Sequence, residues 1–360
     1  ERKWRVAVVG ATGMVGQRFV SLLADHPWFE IAVVAASARS AGKTYEEAVA
    51  DRWAFDWPIP QNIRPLIVRD ASDVEGVTGD VDFVFCAVDM KKDEIRALED
   101  AYARSETPVV SNNSAHRGTP DVPMIVPELN PQHADIIEYQ RKRLGTKVGF
   151  VTVKPNCSIQ SYVPALTALY DLKPTRVVVS TYQAISGAGK TFKRWPEMID
   201  NVIPYIGGEE EKSEQEPLKI WGHIENGVIV PAKSPIISAH CVRVAVADGH
   251  LATCWASFEK PATKEEIIER WRSFEGLPQK MNLPSAPHPF LQYFEEDNRP
   301  QTHLDRDFEH GMGISLGRLR GDSLFDWRFV GLSHNTLRGA AGGAVLIAEL
   351  LCAQGYIPKK

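Results

Sequence analysis

Arg5-Val6-Ala7-Val8-Val9-Gly10-Ala11-Thr12-Gly13-Met14-Val15-Gly16 is the stretch that decides the fold. Arg5 to Val9 reads as a short buried strand. Three glycines follow at G-x-x-G-x-x-G spacing, a variant of the dinucleotide fingerprint. Gln17 to Leu23 then takes helical spacing, with Phe19, Leu22 and Leu23 apolar. Glycines at such a junction permit a tight turn and let backbone N–H groups approach a pyrophosphate at the helix N-terminus. A helix-opening turn with no ligand is the plainer alternative.

Outward from this unit, strands are predicted at Ile31 to Ala36, Val81 to Ala87 and Pro108 to Val110. Strand, helix and strand at this spacing argue for parallel βαβ units. Residues 41–70, rich in Trp and Pro, predict no element. The end of the second strand bears on the cofactor. An NAD site usually places Asp or Glu there for the ribose hydroxyl, whereas this chain has Ser37-Ala38-Arg39-Ser40. A guanidinium and two hydroxyls suit a 2′-phosphate, so NADP is favoured, with an ordinary exposed loop arginine as the alternative.

The pattern changes after about Phe150. A strand at Phe150 to Val153 leads into Lys154-Pro155-Asn156-Cys157. Positions 159 to 170 repeat at helical spacing, with Pro164 a kink. Strands are predicted at Arg176 to Tyr182, Cys241 to Val246, Leu251 to Phe258, Ile314 to Leu319 and Phe325 to Val330, and a last helix at Gly339 to Cys352. Consecutive strands with few helices between them imply a mainly antiparallel sheet. The expected fold class is therefore an α/β Rossmann-type dinucleotide-binding domain plus an α+β catalytic and dimerisation domain. The expected division is 1–153, 154–334 and a C-terminal helix, 335–360, returning to the first domain.

The 360 residues are 44% hydrophobic and 24% charged, with net charge −5, as in an ordinary globular protein. No basic field is present for nucleic acid or anionic membrane, and no apolar run approaches spanning length. Five cysteines without a C-x-x-C pair exclude zinc-ribbon and thioredoxin readings and suit a reducing, cytoplasmic setting. No metal-ligand spacing is present.

Cys157 lies at a strand-to-helix junction, where helix N–H groups favour the thiolate. A thiolate can attack an aldehyde or acyl phosphate and exchange hydride with nicotinamide through the adduct. Local chemistry leaves a buried structural cysteine equally open. Arg243 projects from the strand face opposite Val242, Val244 and Val246, to be solvated or to bind an anion. Glu216 and Lys219, three apart, could share a helical face, or form a surface ion pair beside the acidic run Glu209-Glu210-Glu211. His250 follows the turn signal Asp248-Gly249; His240 and His334 are its rivals as an acid/base.

The chain resembles the aspartate-semialdehyde dehydrogenase family over nearly its whole length, most closely the archaeal and fungal branch. The resemblance rests on Val9-Gly10-Ala11-Thr12-Gly13, Ser37-Ala38-Arg39-Ser40-Ala41-Gly42-Lys43, Asn112-Asn113-Ser114, Pro155-Asn156-Cys157-Ser158, Tyr182 to Gly189, Arg299-Pro300-Gln301 and His334-Asn335-Thr336. It implies Cys157 as acyl-thioester nucleophile, His250 as acid/base and Gln183 as orienting residue. It implies Arg243 for the substrate carboxylate, Glu216 for its ammonium, and Arg117, Asn156 and Lys219 for phosphate. Cofactor contacts are implied at Gly10, Thr12, Gly13, Met14, Val15, Ser37, Arg39, Ser40, Ala87, Ser186, Gly187 and Asn335. Pro217, directly after Glu216, departs from the expected polar residue and unsettles that assignment.

The implied activity is NADPH-dependent reduction of β-aspartyl phosphate to aspartate semialdehyde, in lysine, threonine and methionine biosynthesis, by a homodimer or homotetramer. Malonyl-CoA reductase and N-acetyl-glutamyl-phosphate reductase are the enzymatic rivals; Asn156 speaks against the first, Glu216 and Lys219 against the second. A nonenzymatic NADP sensor would be expected to lose Cys157, Gln183 or His250.

Overall fold

In the computed structural model, which describes residues 1–360, the predicted βαβ units form one parallel sheet of six strands. They are β1 (Trp4–Val9), β2 (Phe29–Ala36), β3 (Arg69–Asp70), β4 (Phe83–Cys86), β5 (Val109–Ser111) and β6 (Val151–Val153). Their order is β3-β2-β1-β4-β5-β6, every pair parallel. Val6 to Val9 and all of β4 are buried, as strands covered on both faces must be. The order reverses between β1 and β4, and a crevice opens beyond their carboxyl ends, the usual ligand position in such sheets. The 41–70 stretch does contribute a strand, β3, but two residues are too few to carry a period-2 signal.

The second sheet has seven strands: β7 (Pro174–Gln183), β8 (Val202–Ile203), β11 (Ile236–Val244), β12 (His250–Phe258), β13 (Leu291–Phe294), β14 (Ile314–Gly321) and β15 (Trp327–Ser333). Between β8 and β11, β9 (His223–Glu225) and β10 (Val228–Val230) form a separate hairpin. The order is β13-β14-β15-β12-β7-β11-β8. Four of its pairs are antiparallel; β7 with β11 and β13 with β14 are parallel. The mainly antiparallel expectation holds, and the long crossover from Gln183 to Ile236 accounts for one parallel pair.

Two helical expectations need correcting. Residues 157–172 form not one kinked helix but three short pieces: a 3₁₀ turn at Cys157–Ser161, an α-helix at Val163–Thr167 and a second 3₁₀ turn at Tyr170–Leu172. Pro164 sits in the first turn of the middle piece, where its missing N–H breaks no helical bond, so it starts a helix rather than bending one. The last helix begins as a wide π-type turn, Leu337–Ala341, and becomes α-helical at Gly342–Ala353.

That last helix packs into the core of the first domain. Ala344, Val345, Ile347, Ala348 and Leu351 join Phe19, Val34 and Phe85 in one buried cluster. Its one buried carboxylate, Glu349, accepts from His26 Nε2 at 2.8 Å and from Ser285. No helix is long and apolar enough to cross a membrane.

Candidate active site

β6 delivers the chain to Lys154-Pro155-Asn156, and Asn156 builds the turn that presents Cys157. Its Oδ1 accepts from the backbone N–H of Ser158 at 2.9 Å and from the Ser158 hydroxyl at 2.7 Å. Its own N–H donates to Glu216 Oε1 at 2.6 Å, and its Nδ2 to Glu209 Oε1 at 2.7 Å. Cys157 thus opens a five-residue 3₁₀ turn, not the long helix expected, and the Ser158 N–H is already engaged. So short an element has little dipole, and the sulfur must find its stabilisation elsewhere.

The half-buried Cys157 lines a cavity of about 280 Å³ with Arg117, Lys154, Gln183, Glu209, Lys212 and Arg243. His250, fully buried at the start of β12, holds Nε2 3.4 Å from Cys157 Sγ. Its Nδ1 accepts from the Ala184 N–H at 3.0 Å. An amide can only donate there, so the neutral ring carries its proton on Nε2, pointing at the sulfur. His240 lies exposed on the outer face of β11. His334 turns Nδ1 to the N–H groups of Thr336 and Leu337, which gives it a structural role.

Arg243 lies on the inner face of β11 with Cys241 and Ala239, opposite the half-buried Val242 and Val244. One Nη donates to the Ala184 carbonyl at 2.6 Å, which fixes the guanidinium at the cavity wall. Gly187 lets it lie there: a Cβ at that position would stand 2.9 Å from Arg243 Nη1 and 3.3 Å from the His250 ring. Gln183 is locked at both ends, accepting from Thr181 Oγ1 at 2.9 Å and donating to Glu209 Oε2 at 3.0 Å.

The charges set the protonation states. Burial pushes the Cys157 thiol up and Glu209 adds to this, against the pull of Lys154, Arg117 and Arg243. Burial, then Arg243, pushes His250 down to about 3, so the ring is neutral at neutral pH. Burial, then Arg117, lowers Lys154 to about 7.

Two expected substrate contacts move. Lys219 donates to the carbonyls of Arg117, Thr119 and Val122 at 2.8–3.0 Å, which occupies all three of its N–H bonds. It clamps the loop that carries Arg117 and has no hydrogen left for phosphate. Glu216 faces the Asn156 N–H and, at 3.4 Å, Arg117 Nη1, outside the cavity that holds Cys157. The acid and base that do line that cavity are Glu209 and Lys212, one i,i+3 step on the same helix, Glu209–Ile220. Both pairs read E-x-x-K, seven residues apart, so they fall on nearly the same helical stripe. The repeat of E-x-x-K within one helix was the signal available; only the packing says which copy meets the sulfur. Lys154 was also missed, hidden in the approach to the nucleophile. Asn156 and Arg117 do reach the cavity, Asn156 chiefly as the scaffold of the Cys157 turn.

A dinucleotide fits the other wall. The helix Met14–Leu23 has Gly13 at its N-cap and no side chain capping it, leaving its first N–H groups for a phosphate. Gly10, at φ +83°, passes so close to β4 that a Cβ would meet the Ala87 carbonyl at 2.0 Å. Val15 and Asn335 reach the cavity of Cys157. Asn335 donates to Ser186 Oγ at 2.8 Å and accepts from the Gly249 N–H at 2.7 Å, tying this wall to His250. Gly339, on the same segment, backs the nucleophile: a Cβ there would lie 2.9 Å from Cys157 Cβ. Arg338 anchors the segment through two 2.7 Å bonds to Glu128. Ser40 is buried, Ser37 borders it, and Arg39 is exposed beside the β2 end.

Comparison with known proteins agrees with this architecture. The semialdehyde dehydrogenase NAD-binding domain matches residues 5–137, and the semialdehyde dehydrogenase dimerisation domain matches 166–338. The aspartate-semialdehyde dehydrogenase of Methanothermobacter thermautotrophicus is 43% identical over 96% of this chain and 98% of its own. That of Aspergillus fumigatus is 41% identical over 99% of each chain. The structure of aspartate semialdehyde dehydrogenase with NADP from Candida albicans superposes with a TM-score of 0.89 at 36% identity, over 99% of this chain and 100% of that one.

Proposed function

Since the chain belongs to the aspartate-semialdehyde dehydrogenase family, enzymes for which NADP is the cofactor, we propose that it reduces β-aspartyl phosphate to aspartate semialdehyde through a thioester on Cys157. The observation that carries this reading is the convergence of Cys157, Gln183, Arg243, Glu209, Lys212 and Arg117 on one cavity, with His250 against the sulfur. Arg243 suits the substrate carboxylate, and Glu209, buried between Asn156 and Gln183, suits its ammonium. Arg117 and Lys212 offer positive charge to the phosphate, while Lys219 and Glu216 hold the surrounding backbone.

Cys157 Sγ forms a bond to the acyl carbon as the C–O bond to phosphate breaks; the phosphate departs with that electron pair toward Arg117 and Lys212 and takes up the thiol proton. NADPH supplies the hydride for reduction; Thr12, Gly13, Met14, Val15, Arg39 and Asn335 would hold it. His250 keeps its proton on Nε2 and donates a hydrogen bond to the oxygen of the tetrahedral adduct, which returns the electrons to the C–O bond and expels the thiolate. Burial and the neighbouring Arg243 favour the neutral His250 ring, which suits that donor role.

The reaction feeds lysine, threonine and methionine biosynthesis on this reading, in a cytoplasmic enzyme divided at about 153 and 334. Self-association through the second sheet is supported by the exposed Tyr182, Val202 and Ile236 on strands of the domain matched as a dimerisation domain. The test is Cys157→Ala with β-aspartyl phosphate and, separately, malonyl-CoA. The variant is expected to bind NADPH as the parent does and to show no turnover. Measurable turnover by the variant, or a parent preference for malonyl-CoA, defeats the reading.

A further inference from the structure

The cavity around Cys157 is bounded on one side by Val15, Ser186, Gly187 and Asn335, the wall given to the cofactor. Arg117, Ser114 and Lys212 line it too, and they also border a second, larger cavity of about 610 Å³ that none of those four cofactor-wall residues touches. The same three side chains line both spaces. The larger one reaches solvent past the exposed Lys92, Gly118 and Gln215. It spans the gap between the first helix turn after β4 and the helix Glu209–Ile220, so Lys92 of the first domain stands exposed on its lining and Lys212 of the second belongs to the shared wall. We propose that this larger cavity is an anion vestibule through which inorganic phosphate enters and leaves, separate from the cofactor wall.

The inference rests on the thioester reading and extends it. A thioester route requires phosphate to leave while the acyl group stays on Cys157. In the reverse direction phosphate must arrive at a thioester already formed: a phosphate oxygen bonds to the acyl carbon as the C–S bond breaks and the thiolate leaves. No electron is gained or lost in that step. An opening on the cofactor wall would make this exchange wait for the dinucleotide to depart. The vestibule removes that constraint, and its shared wall supplies the two cations, Arg117 and Lys212, that hand a dianion from one space to the other. Glu211 and Glu216 also face the vestibule, but Arg117, Lys212, Lys219 and Lys92 outnumber them, and Lys92 is the exposed one of the four.

The test uses the whole enzyme in the oxidative direction with aspartate semialdehyde, NADP and inorganic phosphate. Gly118→Phe narrows the vestibule; that glycine has no atom within 4 Å of a Cβ position and no positive φ, so the backbone accepts the change. Lys92→Gln removes the outer cation without bulk. Both variants are expected to keep the burst of NADPH formed without phosphate, which reports the thioester half-reaction. They are expected to lose about tenfold in kcat/KM for phosphate, the Lys92→Gln loss shrinking at high salt. A phosphate kcat/KM within twofold of the parent in both variants overturns the vestibule. So does equal loss of the burst, which would make the space a common entrance. Absence of the burst in the parent sinks the thioester reading itself, and the vestibule with it.

Discussion

Arg338→Met isolates the contribution of one buried ion pair to this fold. Arg338 and Glu128 are 1% and 0% exposed, and two parallel N–H···O bonds of 2.7 Å join them. Arg338 Nε also donates to the Met312 carbonyl at 2.8 Å, and its guanidinium lies 4.5 Å from the centre of the Phe290 ring. Removing the guanidinium leaves the Glu128 carboxylate buried with only Gln279 Nε2, at 3.0 Å, to donate to it. An uncompensated buried charge of this kind costs about 3–5 kcal/mol, and the orphaned Met312 carbonyl adds about 1–3. The expected loss is therefore about 5 kcal/mol, a large share of a total stability of about 5–15. Replacing both partners, as Arg338→Met with Glu128→Leu, removes the stranded charge and is expected to recover most of the loss. Urea unfolding of the four proteins at one pH and one protein concentration closes a double-mutant cycle. A coupling energy of about 3 kcal/mol or more is expected. A value below about 1 kcal/mol, or a double variant no more stable than Arg338→Met, refutes the reasoning.

Three further expectations follow from the site. Gly187→Ala puts a methyl group against Arg243 and His250 and should cost about 100-fold in kcat/KM with little change in the unfolding midpoint; wild-type kinetics would contradict the crowding inferred here. His250, held near 3 in the fold against about 6.5 unfolded, favours folding fully above about pH 6.5, and that contribution is lost as pH falls toward 3. His250→Asn should flatten the stability–pH curve by about 1.4 kcal/mol per pH unit between pH 6 and 4, and an unchanged slope would count against the buried neutral ring. Lys219→Met strands three carbonyls and should destabilise by at least about 3 kcal/mol while moving the KM for phosphate less than about threefold; a large KM effect in a stable variant would restore it as a phosphate ligand.

The legible parts of the sequence were those with a local signature. A buried apolar run followed by glycines located β1, the dinucleotide turn and the first helix before any tertiary information. Alternation placed the long strands of the second sheet to within a few residues at most ends, though β11 starts five residues early. The family resemblance pointed to Cys157, Gln183, Arg243 and His250, which come from four different elements; the first three line one cavity and His250 packs against the sulfur. What stayed hidden depends on distant chain. The 3₁₀ turn at Cys157 exists because Asn156 folds back on Ser158, which hydrophobic spacing does not record. The choice between Glu209–Lys212 and Glu216–Lys219 depends on how far the helix has advanced past the cavity, since a shift of two turns leaves a side chain on the same stripe. The tautomer of His250 rests on an amide 66 residues away in sequence.

The placement of the helix Gly342–Ala353 in the first domain's core bears on how the chain folds during synthesis. Ribosomes release the parallel sheet by Val153, yet part of its apolar covering is encoded almost 200 residues later. Until that helix emerges, the side chains around Phe19, Val34 and Phe85 lack a neighbour. The strands of the second sheet lie wholly between Pro174 and Ser333, so that sheet also has all its strands before the covering helix of the first emerges. The beginning of the chain is thus sealed last, and the segment that seals it also carries Asn335 and Gly339 to the cavity of Cys157.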